Sequence, residues 1–338
     1  MEMASILPPA SKELRGGICV SRQAYDQVQK KVRSLVPQRL KNIPDQVEVF
    51  AIQGDGLATS DDRQEIRYCR TPDGVRLAYA ISGHGSPLVK TGNWLSHLEY
   101  DWESPVWRHL FLRLSRDHRL TRYDPRGTGL SDWDVADISL DAWVNDVAAV
   151  VDAAGIDRFP LFGISQGCAV SIAYALRHPD RVSHLILLGG FALGASKRSP
   201  EDSEKRKAFV TLMRLEWGAD NPAIRQIFAT RLMPDANKEQ VDTFNELQRK
   251  TTSPECAARY LETAGEIDVT ELLGQVRVPT LVLHARGDAQ VPFEQGRKLA
   301  AGIPGAKFVA LQSSNHILLE QEPALQRFFE EVDLFLKK

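Results

Sequence analysis

The chain has 338 residues, with 42 Lys+Arg against 44 Asp+Glu and a formal net charge of −2, a balance that carries no signature of nucleic-acid binding or of an anionic membrane surface. With 43 % hydrophobic and 25 % charged residues, the composition is globular and excludes disordered and collagen-like chains. Four scattered cysteines (Cys19, Cys69, Cys168, Cys256) form no C-x-x-C pair, so no zinc knuckle or disulfide scaffold is expected and a reducing cytoplasm fits best. The chain opens without a basic stretch leading into an apolar run. Nowhere does an apolar run approach the roughly 18 residues of a membrane span.

In chain order, residues 1–53 read as a small segment with a strand at Ile18–Val20, a helix from Ser21 to about Val32 and a strand at Val47–Ile52. Residues 54–63, polar and glycine-bearing, read as a linker. Short apolar runs then alternate with helical runs. The expected strands are Ile66–Cys69, Val75–Ile81, Leu88–Thr91, Arg119–Tyr123, Phe159–Phe162, Val182–Leu188, Val278–His284 and Lys307–Leu311. The later ones are apolar without alternation, as strands covered on both faces must be. Between them, Trp143, Val144, Val147, Val151 and Ala154 share one helix face, with Ser139 as N-cap and Gly155 just past the end. This alternation predicts an α/β fold with a mostly parallel eight-stranded sheet. It stops over residues 191–274, where helix starts appear at Ser199-Pro200, Asn221-Pro222, Ser253-Pro254 and Asp268. A helical cap is expected there, inserted into a core made of residues 64–190 and 275–338.

The sharpest motif is Gly163-Ile164-Ser165-Gln166-Gly167, a G-x-S-x-G between a strand and a helix running to about Arg177. Glycines on either side let a serine occupy a sharp, strained turn and project its hydroxyl at a helix N-terminus. Taken alone, the pentapeptide also fits an ordinary capping turn. A serine nucleophile needs a base, and the base an orienting carboxylate. Asp288 follows one predicted strand and His316 follows the next, which supplies both in the order Ser, Asp, His. Singly, each fits a loop or surface role; three ordered residues at strand ends point to nucleophilic catalysis.

Residues from about 64 to 338 therefore resemble the α/β-hydrolase superfamily through the Ser165 elbow, the Asp288 loop and His316. Asp124-Pro125-Arg126-Gly127 resembles that superfamily's structural turn after the fourth strand. Gly92-Asn93-Trp94-Leu95-Ser96-His97-Leu98-Glu99 resembles the subgroup attached to class III nucleotide cyclases and transcription regulators. Residues 15–52, with Arg15-Gly16-Gly17-Ile18-Cys19-Val20-Ser21, resemble the end of a class III cyclase catalytic domain. That remnant lacks the metal-binding aspartates, so no cyclase activity is expected, and it suggests a homodimer formed through the N-terminal segment.

The resemblance implies a serine hydrolase of carboxylic esters, with Ser165 as nucleophile, His316 as base and Asp288 as orienting acid. Where many members have His-Gly, this chain has Thr91-Gly92-Asn93-Trp94. The oxyanion donors are backbone N–H groups, assigned to Asn93 and Gln166, with Trp94 as runner-up for the first. Trp94, Phe209 and Met213 are candidate substrate contacts. Leu212, Phe228, Phe244 and Tyr260 share their helical spacing, which equally suits core packing. The same triad also suits lactones, amides, carbon–carbon bonds or perhydrolysis, and a ligand-sensing module without catalysis is the reading from another class. No G-x-x-x-x-G-K-[ST], G-x-G-x-x-G or H-E-x-x-H occurs, so no cofactor and no metal are expected.

Overall fold

The computed structural model describes Arg63–Lys337 and, before them, the backbone of five short strands. Those strands are β1 (Ile18–Ser21), β2 (Val32–Ser34), β3 (Gln38–Arg39), β4 (Gln46–Val47) and β5 (Val49–Ile52). β5 pairs antiparallel with both β1 and β2, and β3 pairs with β4. Of the helix expected from Ser21 to about Val32, residues 22–31 lie outside the described residues, and its two ends, Ser21 and Val32, belong to β1 and β2. Residues 1–63 and 64–338 form two separate compact units.

The second unit is built on one eight-stranded sheet: β6 (Gln64–Arg70), β7 (Arg76–Ser82), β8 (Ser86–Lys90), β9 (His118–Tyr123), β10 (Phe159–Ile164), β11 (Val182–Leu188), β12 (Thr280–Ala285) and β13 (Lys307–Leu311). Their spatial order is β13-β12-β11-β10-β8-β9-β7-β6. The β6–β7 and β7–β9 pairings are antiparallel, and β8 to β13 run parallel. Each of the eight expected strands is present. β12 starts two residues later than expected because Pro279 has no N–H for the ladder, although its carbonyl accepts from Leu185.

Six helices pack on this sheet: α1 (Leu98–Glu103), α2 (Arg108–Asp117), α3 (Leu140–Ala153), α4 (Gly167–Arg177), α10 (Phe293–Gly302) and α11 (Pro323–Leu336). α3 shows how the sequence sets an element. The Ser139 hydroxyl accepts the Ala142 N–H at 3.1 Å, Gly155 takes a positive φ of 64° beyond the last turn, and Trp143, Val144, Val147 and Val151 are buried on one face. None of the described helices is long and apolar enough to cross a membrane.

Between β11 and β12 the chain forms α5 (Ala195–Arg198), α6 (Pro200–Glu216), α7 (Ala223–Leu232), α8 (Lys238–Thr251), α9 (Pro254–Glu266) and a 3₁₀ turn at Thr270–Gln275. α6 and α9 start at Ser199 and Ser253, whose hydroxyls accept the N–H three residues on, each followed by proline at the first helical position. α8 begins at an Asn237–Gln240 capping box.

These helices are tied to loops of the core. Tyr260 donates to the Arg126 carbonyl at 2.7 Å, Thr252 to the Gly127 carbonyl at 2.5 Å, and Thr263 to the Ile138 carbonyl at 2.7 Å. At the other end the Leu232 carbonyl accepts from both His316 N–H, at 2.8 Å, and Ile317 N–H, at 3.1 Å. Trp94 stacks on Phe228 of α7 with ring centroids 5.5 Å apart and meets Trp217 edge-on at 5.9 Å.

Candidate active site

β10 ends at Ile164 and α4 starts at Gly167, so Ser165 must turn the chain within two residues. It does so at φ +56°, a left-handed conformation that a serine adopts only under constraint. The constraint is steric closeness. A Cβ at Gly163 would stand 2.7 Å from both the Gly167 carbonyl oxygen and Ser171 Oγ, and one at Gly167 would stand 2.7 Å from the Gly92 carbonyl oxygen. Both glycines of the motif are thereby explained. Ser165 N–H donates to the Leu188 carbonyl at 3.0 Å, which pins the turn to the end of β11. The serine hydroxyl has no hydrogen-bond partner among the described residues.

Asp288 lies in the loop after β12, and His316 in the loop after β13. His316 Nδ1 lies 2.6 Å from Asp288 Oδ2. A carboxylate only accepts, so the imidazole proton sits on Nδ1 and Nε2 is left as the basic nitrogen. Nε2 is buried and has no hydrogen-bond partner. Asp288 Oδ1 accepts the N–H groups of Gln290 and Val291, both at 2.8 Å. Burial pushes the Asp288 carboxyl up, but the His316 imidazole, the hydrogen bonds of His284 and His316 and the Val291 N–H reverse this and hold it well below the usual carboxylate range.

Two members of this arrangement had no signal in the sequence. His284, fully buried at the end of β12, donates from Nε2 to the Val291 carbonyl at 2.9 Å and stands 3.4 Å from Asp288 Oδ2, bracing the carboxylate from behind. Gly189, one residue past β11, has φ +60°, and a Cβ there would stand 2.9 Å from His316 Cε1. Because Leu188 holds Ser165 and Gly189 abuts His316, the end of β11 brings the serine turn and the imidazole together. Gly189→Ala should lower kcat by about 10²-fold through displacement of the ring. Gly305→Ala, at φ +72° with nothing within 4 Å of a new Cβ, controls for backbone strain. Equal kcat in the two variants would contradict the steric role of Gly189.

A small cavity, with about 50 Å³ open to water-sized groups, lies at Ser165, lined by Trp94, Gln166, Phe191, Arg198, Arg206, Phe228, Leu232, Gln290 and Val291 among others. Trp94 N–H faces Gln166 Oε1 at 3.0 Å. Asn93, the first choice as oxyanion donor through its backbone N–H, is absent from the cavity lining; its buried side chain accepts at Oδ1 from Lys90 Nζ and donates from Nδ2 to the Trp94 carbonyl at 3.3 Å. Of the two candidates for the first donor, Trp94 is the one that lines the cavity. Phe209 lines a neighbouring cavity of about 100 Å³, which shares Arg206, Phe228, Leu261 and Gln290 with the first.

The other apolar candidates divide between packing and surface. Met213, a candidate substrate contact, is 0 % exposed and packs in the cap's own core with Phe244 and Trp217, away from both cavities. Tyr260 is also core, packed on Trp143. Leu212 is 40 % exposed.

Among the described residues no group of three or more His, Cys, Asp or Glu side chains is placed to hold a metal ion.

Residues 97–323 match the family model described as alpha/beta hydrolase fold. The chain is 28 % identical over 256 residues to the AB hydrolase superfamily protein YisY of Bacillus subtilis, covering 74 % of this chain and 91 % of that one. It is 28 % identical over 245 residues to a putative carbamate hydrolase, RutD, of Azorhizobium caulinodans, covering 71 % and 88 %. Among solved structures, the esterase EaEST from Exiguobacterium antarcticum superposes with a TM-score of 0.68 at 20 % identity, over 80 % of this chain and 99 % of that one. With its eight-stranded sheet, its serine turn and a family match over two thirds of its length, the chain belongs to the alpha/beta hydrolase family and is a hydrolase.

Proposed function

We propose that the chain is a serine hydrolase of carboxylic esters. Ser165 Oγ attacks the ester carbonyl while His316 Nε2 takes its proton. The tetrahedral oxyanion is held by the Gln166 and Trp94 N–H groups, the substrate oxygen taking the place at Trp94 that Gln166 Oε1 fills in the resting protein. Collapse expels the alcohol, which receives the proton from His316, and water then releases the acid from the acyl-enzyme by the same steps. The observation that carries this reading is the His316–Asp288 hydrogen bond with Nε2 left unpartnered, beside a serine held at positive φ.

A chain-length series of p-nitrophenyl esters, run beside Ser165→Ala, tests the proposal. No turnover across the series would overturn it. The similarity to a putative carbamate hydrolase favours carbamates as a second substrate class for the same residues, and matched p-nitrophenyl carbamates in the same assay separate the two.

The pH profile carries its own sign. A protonated imidazole cannot accept the serine proton, so kcat/KM falls on acidification. Asp288 keeps its charge far below the usual carboxylate range, so it adds no second limb. We expect an acid limb of slope one down to about pH 4, near where an ordinary carboxylate titrates. A slope of two above that pH would show that Asp288 protonates with His316.

A further inference from the structure

Two arginines face the cavity beside Ser165. The Arg206 guanidinium spends Nε and Nη2 on one acceptor, the Leu261 carbonyl, at 2.9 and 2.7 Å, and Arg198 spends Nε on the Leu193 carbonyl at 2.9 Å. These bonds fix both forks and leave Nη1 of Arg206 and both terminal nitrogens of Arg198 without an acceptor. Among the described residues no carboxylate lies within ion-pair distance of either, and no Asp or Glu lines this cavity. The contrast with Arg126 is informative: that buried guanidinium is matched by Asp146 and Asp73.

Two like charges share one wall here in surroundings that penalise charge. Burial lowers Arg206 to about 10, and the charges of Arg198 and Arg231 add to the effect. Carboxylates act on them only from beyond ion-pair distance, Asp202 and Asp288 on Arg198 and Glu266 on Arg206, and partly desolvated cations without a direct partner cost stability unless a ligand supplies one. Arginine forks match a carboxylate in two parallel hydrogen bonds.

We propose that this cavity takes a substrate bearing a carboxylate, seated on Arg198 and Arg206, with its scissile carbonyl at Ser165. The substrate is then a small acidic ester, the half-ester of a dicarboxylic acid being the simplest form. This deepens the ester-hydrolase reading and rests on it.

The test compares mono-4-nitrophenyl adipate with 4-nitrophenyl hexanoate, which replaces the carboxylate by a methyl group at the same six-carbon acyl length. The wild-type protein should prefer the adipate by at least about tenfold in kcat/KM, and Arg198→Gln or Arg206→Gln should erase that preference, mainly through KM. Lys207→Gln, an exposed charge on the same cap helix, should leave the ratio unchanged and so excludes a long-range field. Arg206 also braces α9 through Leu261, so Arg198→Gln serves alone if Arg206→Gln does not fold.

Adipate binding to the Ser165→Ala protein, followed by calorimetry, gives a readout independent of turnover: heat with that protein and none after adding Arg198→Gln supports the proposal. A wild-type preference for the neutral ester, or a ratio indifferent to both arginines, overturns it while leaving ester hydrolysis in place. Hydrolysis of both esters that persists in Ser165→Ala overturns the assignment of Ser165 as nucleophile instead.

Discussion

Ser165→Ala should lower kcat toward p-nitrophenyl esters by roughly 10⁴- to 10⁶-fold with the fold intact. The size follows from the chemistry: without Oγ there is no acyl-enzyme, and only the oxyanion donors and the cavity remain to assist water. The fold survives because alanine and serine carry the same Cβ into the φ +56° turn, and the hydroxyl makes no hydrogen bond that its loss would break. His316→Ala belongs to the same unit and should cost a similar factor rather than a further one in the double variant. Circular dichroism beside the kinetics separates lost chemistry from lost structure. A folded Ser165→Ala protein that keeps more than about one hundredth of the wild-type rate would mean that another nucleophile or a bound water does the work.

Asp288→Asn should cost about 10⁴-fold in kcat with little change in stability. The reason lies in which atoms of residue 288 are already committed. The Gln290 and Val291 N–H groups claim Oδ1, so an asparagine is oriented with its oxygen toward them and its NH₂ toward His316. Two donors cannot face each other; Nδ1 must become the acceptor and the imidazole proton moves to Nε2. That tautomer cannot take the serine proton. Near-wild-type activity in this variant would show that a different carboxylate orients His316, although Asp288 is its carboxylate partner among the described residues.

Much of this was legible in the sequence, and the division is physical. The β11 and β12 strands announce themselves because burial on both faces demands unbroken apolar runs, and the Ser165 turn because the two close approaches at Gly163 and Gly167 leave no room for a side chain. The Asp288 and His316 loops follow from their places after successive strands. What stayed hidden depends on distant parts of the chain meeting. Gly189 matters only because His316 arrives beside it, and His284 because the loop after β12 folds back over it. Helical spacing in the cap marked Phe209, Met213 and Phe228 alike, since a face against a cavity and a face against a packed core have the same period. Nothing in the sequence sets Arg198 and Arg206 apart from the other charges of the cap helices; only the fold brings them to the cavity wall. The loop after β8 puts Asn93 and Trp94 side by side in the chain, and the sequence gives no sign that Trp94, rather than Asn93, lines the cavity.

The Leu232 carbonyl, which accepts from the N–H groups of both His316 and Ile317, has a consequence for protein engineering. The last turn of α7 is part of the mounting of the histidine loop, so this cap is not an interchangeable cover. A graft that replaced the insertion with that of another hydrolase, to import its selectivity, would strip two hydrogen bonds from the loop beside the imidazole unless the incoming segment offered a carbonyl at the same point. Crossovers for such chimaeras belong on the C-terminal side of Leu232, within α8 and α9, where the insertion can be exchanged without removing the Leu232 carbonyl from the His316 loop.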